Sequence, residues 1–362
     1  MARCLVIGGA GFIGSHLVES LVARGETVRV LDNFSTGSVS NIAPLLGKIQ
    51  LLVGDVADEE LIAQAMKGID TVFHYAPPPE WLFLSPDSLG SGVTSLRRHQ
   101  GPSSLTNARN VLAAAHQAGV RRVIYASSAR VYGCADSVPL SEDHPLNPVS
   151  SLAITTLAGE QDCCAFTSLS GLETVRLRYF NVFGPRQSSA SLAAEIIGQA
   201  IKAMLVGRRP VIPGNGFDPQ DFLYIDDVVH ANLLVAQAQR VSGRVYNIAR
   251  GHPTTALEIV SLLNRILGSK LRPIHTAPLA PADGDNLADV ARGEAELGFC
   301  SFTDLEKGLR HCVDYYSRWR DSLLPPRQEA AQAAPLSSQE SGEQQRVGPP
   351  HSQVLRRGRP VR

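Results

Sequence analysis

Three glycines and one carboxylate near the amino terminus are spaced to hold a phosphate-bearing nucleotide: Gly8, Gly11 and Gly14, followed by Asp32. Lacking Cβ atoms, the glycines permit a tight turn, let backbone approach a pyrophosphate, and allow a helix to pack closely on a strand. The start of that helix offers unpaired N–H groups and the positive end of its dipole to the phosphates. Asp32 sits close to the offset of ~20 residues at which an acidic side chain accepts a ribose 2′-hydroxyl. A carboxylate there repels a 2′-phosphate, so the pattern points to NAD in preference to NADP.

These residues need a strand, a turn, a helix and a second strand in that order. Arg3 to Ile7 is a short apolar run that reads as a buried strand, and Phe12 to Arg24 carries helical spacing at Ile13, Leu17, Leu21 and Val22. Val28 to Leu31 reads as the second strand. Further strands are expected at Ile49 to Gly54, Thr71 to Tyr75, Arg122 to Ala126 and Leu172 to Arg178, with helices at Glu59 to Met66 and Thr106 to Ala118. This alternation predicts an α/β fold with a doubly wound parallel sheet of the Rossmann kind. After Arg178 the rhythm breaks into helices near Ala193 to Val206, Asp226 to Gln239, Ala256 to Leu267 and Phe302 to Trp319, with brief strands such as Arg244 to Ile248. The expected division is a nucleotide-binding domain over 1–180, a smaller mixed α/β substrate region over 181–322, some of whose elements return to the main sheet, and a disordered tail over 323–362. The tail is rich in Pro, Gln, Ser and Gly and lacks the apolar surface to order itself.

With 34 basic and 34 acidic residues the formal net charge is zero, so nothing global points to nucleic acid or an anionic membrane. No apolar run approaches the ~20 residues of a spanning helix. The first apolar run belongs to a strand, so it does not read as a signal peptide. The six cysteines form no CxxC pair and read as reduced core thiols, the pattern of a cytoplasmic protein with no metal site.

Several segments together resemble the extended short-chain dehydrogenase/reductases, specifically the NAD-dependent epimerase/dehydratase group typified by UDP-glucose 4-epimerase. They are GGAGFIGSHL at 8, LDNFSTG at 31, GDVAD at 54, VFHYA at 72, GVRRVIYASSARVYG at 119, LRYFNVFGPRQ at 177, DFLYIDDVV at 221 and YNIA at 246. The resemblance implies that Gly8, Gly11, Phe12, Ile13 and Gly14 hold the pyrophosphate of NAD. It gives Asp32 and Asn33 the adenosine ribose, Asp55 and Val56 the adenine, and Ala76 the nicotinamide half. Ser128 matches a serine that hydrogen-bonds the reacting sugar hydroxyl, and Asn181 an asparagine near the phosphates of a nucleotide sugar. The same resemblance implies a homodimer through helices flanking the sheet.

The departures concern the chemistry. The family places a tyrosine and, four residues later, a lysine at the start of the helix after the Pro-Val-Ser stretch; the tyrosine removes a hydroxyl proton while NAD takes a hydride. Here Leu152 and Thr156 occupy those positions, and no lysine or arginine occurs between Val131 and Val175. Of the nearby tyrosines, Tyr125 and Tyr132 read as structural, which leaves Tyr75 as the candidate replacement base. Gln220 stands where the family carries an arginine before the DF pair, and Asp283 and Asp285 fall in a segment where a second family arginine is expected. The stretch 77–103, with Trp81 and Phe83, reads either as a surface excursion or as a lid over the nicotinamide pocket. Three readings follow. The chain is an NAD-binding relative without the usual redox chemistry, acting as a pseudoenzyme, partner subunit or cofactor-dependent regulator. It is an active nucleotide-sugar epimerase or dehydratase with relocated acid-base groups. Or it is an interaction module that has lost NAD, against which the glycine turn and Asp32 weigh.

Overall fold

The computed structural model describes residues 1–75, 107–134, 137–187, 195–277 and 287–320. Its strands are β1 (Arg3–Ile7), β2 (Thr27–Asp32), β3 (Ile49–Val53), β4 (Thr71–His74), β5 (Arg122–Ser128), β6 (Glu173–Tyr179), β7 (Val182–Phe183), β8 (Val211–Pro213), β9 (Gln220–Asp221), β10 (Leu223–Tyr224), β11 (Val245–Ile248), β12 (Pro253–Thr254) and β13 (Ile274–Thr276). The helices are α1 (Phe12–Ala23), α2 (Val39–Ile42), α3 (Glu59–Met66), α4 (Asn107–Gln117), α5 (Ser151–Ser170), α6 (Glu195–Leu205), α7 (Ile225–Gln237), α8 (Ala256–Leu267), α9 (Ala291–Leu297) and α10 (Leu305–Ser317).

Seven parallel strands form the central sheet in the order β11-β6-β5-β4-β1-β2-β3. The order reverses between β1 and β4, and in such sheets the crevice outside the carboxyl ends of the strands at that reversal is where ligands bind. Both faces of the sheet are covered, which is why the strands are apolar on consecutive residues. In β1, Cys4 and Val6 join a core with α1, α6, α7, α8 and α10 on one face. Leu5 and Ile7 turn to the opposite face and pack with α3, α4 and α5. Met1–Leu324 form one compact unit, and β11, from well beyond residue 181, pairs with β6 in the main sheet.

Element ends follow local chemistry. Asp58 caps α3 by accepting from the N–H groups of Glu60 and Leu61, and Thr255 with Glu258 forms a reciprocal capping box at α8. Cys4, Cys163 and Cys312 are buried and Cys134, Cys164 and Cys300 exposed, all as free thiols. Among the described residues no helix is long and apolar enough to cross a membrane. Ala76, the 77–103 stretch, the segment with Asp283 and Asp285, and the 323–362 tail lie outside the described residues.

Candidate functional site

The glycine turn joins β1 to α1 directly. Gly8 has φ of 76°, a left-handed conformation that disfavours a side chain, and its N–H donates to the Leu31 carbonyl at 2.8 Å. Gly14 lies in the first turn of α1 against the bend, where a Cβ would stand 2.2 Å from the Gly8 carbonyl oxygen. No side chain caps the start of α1 and no acidic residue occupies its first turn, so its leading N–H groups remain free for an anion.

Asp32 ends β2 and is 6% exposed. Its Oδ2 accepts from the Ala10 N–H and its Oδ1 from the Phe34 N–H, both at 2.8 Å. One carboxylate therefore ties the glycine turn to the loop after β2, with lone pairs to spare on each oxygen. Beside it the Asn33 amide donates to Asp55 Oδ2 at 2.8 Å, while Asp55 Oδ1 takes the Ala57 N–H at 2.9 Å. Val56 is buried and follows β3. Phe12 and Ile13 are half-buried at the helix start. An uncapped helix start, a cradle that a Cβ would fill and a buried ribose-type acceptor are the donor set a dinucleotide requires, so these residues fit NAD. Phe12, Ile13 and Gly14 would meet its pyrophosphate through backbone, Asp32 and Asn33 its ribose, and Asp55 and Val56 its adenine.

Across the switch point the chemistry is different. Ser128, at the end of β5, is half-buried and accepts from the Arg130 N–H at 3.3 Å, capping a short 3-10 turn. Leu152 is half-buried and Thr156 buried on α5, whose N-cap is Ser150. The Tyr125 hydroxyl donates to the Thr156 carbonyl at 3.3 Å and rests over Gly159, where a Cβ would come within 2.2 Å of its oxygen. Neither Leu152 nor Thr156 carries a group that titrates near neutral pH.

Three tyrosines near this region are held by structural bonds. Tyr75 donates to Asn232 Oδ1 at 2.6 Å, and burial pushes its hydroxyl well above the ordinary tyrosine range. It is a donor in the packing against α7, which argues against the replacement base expected from its position before the nicotinamide loop. Burial likewise raises Tyr125 far above its usual range. Tyr132 donates to Asn247 Oδ1 at 2.6 Å, accepts from Arg178 Nη1 at 3.0 Å, and is pushed by burial up to about 12.

A buried network that sequence reasoning did not single out holds α5 in place. Arg178 of β6 makes a two-pronged contact with Glu160 of α5, Nε to Oε1 at 2.9 Å and Nη2 to Oε2 at 2.7 Å, with both side chains no more than 3% exposed. Ser127 also donates to Glu160, and Arg178 donates to the Glu142 carbonyl. The one available signal was a pair of acidic residues, Glu160 and Asp162, in a helix with no basic residue, since a buried charge demands a partner.

Asn181 precedes β7 with φ of 23°, and its amide donates to the Asp221 carbonyl at 3.0 Å, bringing β9 beside it. Asp221 is fully buried and accepts from the N–H groups of Arg250 and Gly251; desolvation still raises its carboxyl to about 6. Among the described residues no cluster of three metal-binding side chains occurs.

Residues 4–249 match the NAD dependent epimerase/dehydratase family. The chain is 30% identical to the UDP-glucose 4-epimerase of Mycolicibacterium smegmatis, over 87% of this chain and 98% of that protein. Among solved structures it is similar to the UDP-N-acetylglucosamine 4-epimerase of Methanobrevibacter ruminantium in complex with UDP-N-acetylmuramic acid, at 31% identity and a TM-score of 0.76 over 87% of this chain and 98% of that one. It also matches the UDP-glucuronic acid 4-epimerase of Bacillus cereus in complex with UDP-glucuronic acid and NAD, at 27% identity and a TM-score of 0.76 over 87% and 99%. With the glycine turn, the seven-stranded order and similarity over most of the chain in agreement, the chain belongs to the NAD-dependent epimerase/dehydratase family.

Proposed function

We propose that this protein binds NAD and a nucleotide sugar and lacks the proton-transfer machinery with which its relatives' family pattern runs redox chemistry. The observation that carries this reading is the contrast between the equipped β1–α1–β2 pocket and α5, where Leu152 and Thr156 stand at the pattern's tyrosine and lysine positions. Bound NAD supplies a hydride acceptor. Gly8, Gly11 and Gly14 shape the phosphate cradle, Asp32 and Asn33 select the ribose, and Asp55 and Val56 flank the adenine. Asn181 and Ser128 face the sugar nucleotide. No group on α5 accepts the sugar's hydroxyl proton, and losing a positioned general base costs on the order of 10²- to 10⁴-fold in rate.

The protein would then act as a cofactor-dependent regulator or partner subunit. A homodimer through the outward face of α5, where Ile154 is half exposed, belongs to the same reading, as does the division into a 1–180 cofactor region, a 181–322 substrate region and a tail. Calorimetry with NAD and with UDP-glucose tests the binding half: saturable binding of each is expected. NMR of UDP-glucose and UDP-galactose incubated with the NAD-loaded protein tests the catalytic half. No interconversion is expected beyond the background, and turnover at a rate typical of enzymes, ~1–10³ s⁻¹, overturns it.

A further inference from the structure

One short segment touches both candidate ligand regions. Residues 181–187 begin at Asn181, whose amide donates to the Asp221 carbonyl at 3.0 Å and whose own carbonyl accepts from the Leu223 N–H at 3.3 Å. The segment continues as β7 beside β10 and then meets α1, the helix whose start is shaped for the cofactor's phosphates. Its contacts there fall on Phe12, Ser15, His16 and Glu19, which share one face of the helix by their spacing.

Each contact is specific. Gly184 is wedged between α1 and the start of α7: a Cβ on it would stand 2.5 Å from Ile225 Cγ2 and 3.4 Å from the Phe12 ring. The Pro185 carbonyl lies 3.0 Å from His16 Nε2, and because a carbonyl only accepts, that nitrogen carries the proton. Burial pushes the His16 imidazole down to about 4, so the ring is neutral near pH 7. Arg186 donates through Nη1 to Ser15 Oγ at 3.4 Å and through Nη2 to Glu19 Oε2 at 2.6 Å.

The backbone is strained at both ends of this stretch. Asn181 has φ of 23° and Arg186 φ of 64°, two of the four non-glycine residues with left-handed φ among the described residues. Such conformations persist only where surrounding contacts impose them. Here the β7–β10 pairing imposes them at one end and the face of α1 at the other.

We infer that residues 181–187 couple the two ligand regions, with Arg186 as the positioning residue: NAD at the start of α1 raises the affinity for the nucleotide sugar at Asn181. The inference rests on the nucleotide-sugar reading above. An anion held by the leading N–H groups of α1 steadies the helix face that carries Ser15, His16 and Glu19. That face holds Pro185 and Arg186, and through them the strained turn that presents Asn181.

The test is calorimetric titration of UDP-glucose into the full chain, NAD-free and NAD-saturated, and of NAD with and without UDP-glucose. The parent should bind UDP-glucose about tenfold more tightly with NAD present, and NAD more tightly by the same factor with UDP-glucose present, because coupling between two sites is reciprocal. Arg186→Gln and Glu19→Gln should each reduce that factor to about twofold or less, with NAD affinity measured alone unchanged. Glu19 is more than half exposed, so its variant spares the core. Arg186→Lys keeps a charge for Glu19 and should restore part of the coupling. UDP-glucose affinity that is equal with and without NAD in the parent overturns the inference alone, as does coupling that both variants retain. A fall in NAD affinity measured alone in Glu19→Gln overturns it too, because the pair then serves the cofactor pocket directly. A parent protein that binds NAD but not UDP-glucose overturns the nucleotide-sugar reading together with the inference.

Discussion

At the carboxyl ends of β1 and β2 the polar side chains bond across the turn itself, whereas on α5 the buried carboxylate Glu160 serves the framework and Leu152 and Thr156 carry no ionisable group. Asp32 joins Ala10 to Phe34, and Asn33 joins Asp55, so the residues proposed to face the cofactor also hold their own loops together. On α5 the two duties are divided. Glu160, Ser127 and Arg178 anchor the helix from its buried side, while Leu152 and Thr156 contribute no charge. Where binding and scaffolding share a residue, chemistry cannot be removed without loosening the fold. Where they are separate, it can.

The comparison sets an order of expected effects. Leu152→Tyr with Thr156→Lys should raise UDP-glucose epimerisation, followed by NMR, by about 10²- to 10⁴-fold over the parent, because α5 is already docked; no gain would mean that the pocket has diverged along with the dyad. Glu160→Ala should cost about 3–5 kcal/mol in urea unfolding, since it leaves Arg178 charged, buried and unpaired. A loss below 1 kcal/mol would show that α5 does not depend on that anchor.

A third effect arises on β4, between the two regions. His74 is 3% exposed, stacks edge-on with Tyr125, and has an unpartnered Nε2; desolvation lowers it to about 4 from 6.5. The unfolded chain then binds more protons than the folded one between these values, so stability rises with pH through that window and is lost on acidification. The contribution is about 2 kcal/mol between pH 7 and pH 5. His74→Gln should shrink the difference in unfolding free energy between those two pH values by that amount, and an unaltered difference would assign the acid sensitivity elsewhere. The smallest effect is expected from Asp32→Asn, which keeps one acceptor and loses the charge. NAD affinity should fall about tenfold in calorimetry, and an unchanged affinity would break the assignment of the ribose to this carboxylate.

The first half of the sheet was readable in advance because its elements announce themselves by periodicity: β1 and α3 fall at the expected residues, and α1 ends one residue earlier than expected. Helix α5 was placed only through resemblance. Its buried row is Ala153, Thr156, Gly159, Glu160 and Cys163, at helical spacing but small or polar, so a search for apolar periodicity passes over it. The two-residue strands β9 and β12 are too short to carry a pattern, which is why the pairing of Gln220 with Thr254 emerges only in three dimensions. Tyr75 shows the converse: its position in the sequence suggested chemistry, and its bond to Asn232 gives it a packing role.

The sheet also dictates how the chain must be made. Strand β6 ends at Tyr179, but its outer neighbour β11 is not complete until Ile248, 69 residues later. During synthesis at about 5–20 residues per second the open edge of β6 therefore waits roughly 3 to 14 seconds for its cover. Throughout that interval the nascent chain presents an unpaired row of backbone donors and acceptors to any strand it meets. Ribosome pausing between codons 180 and 248 would lengthen that exposure, and chaperone demand during translation should concentrate there.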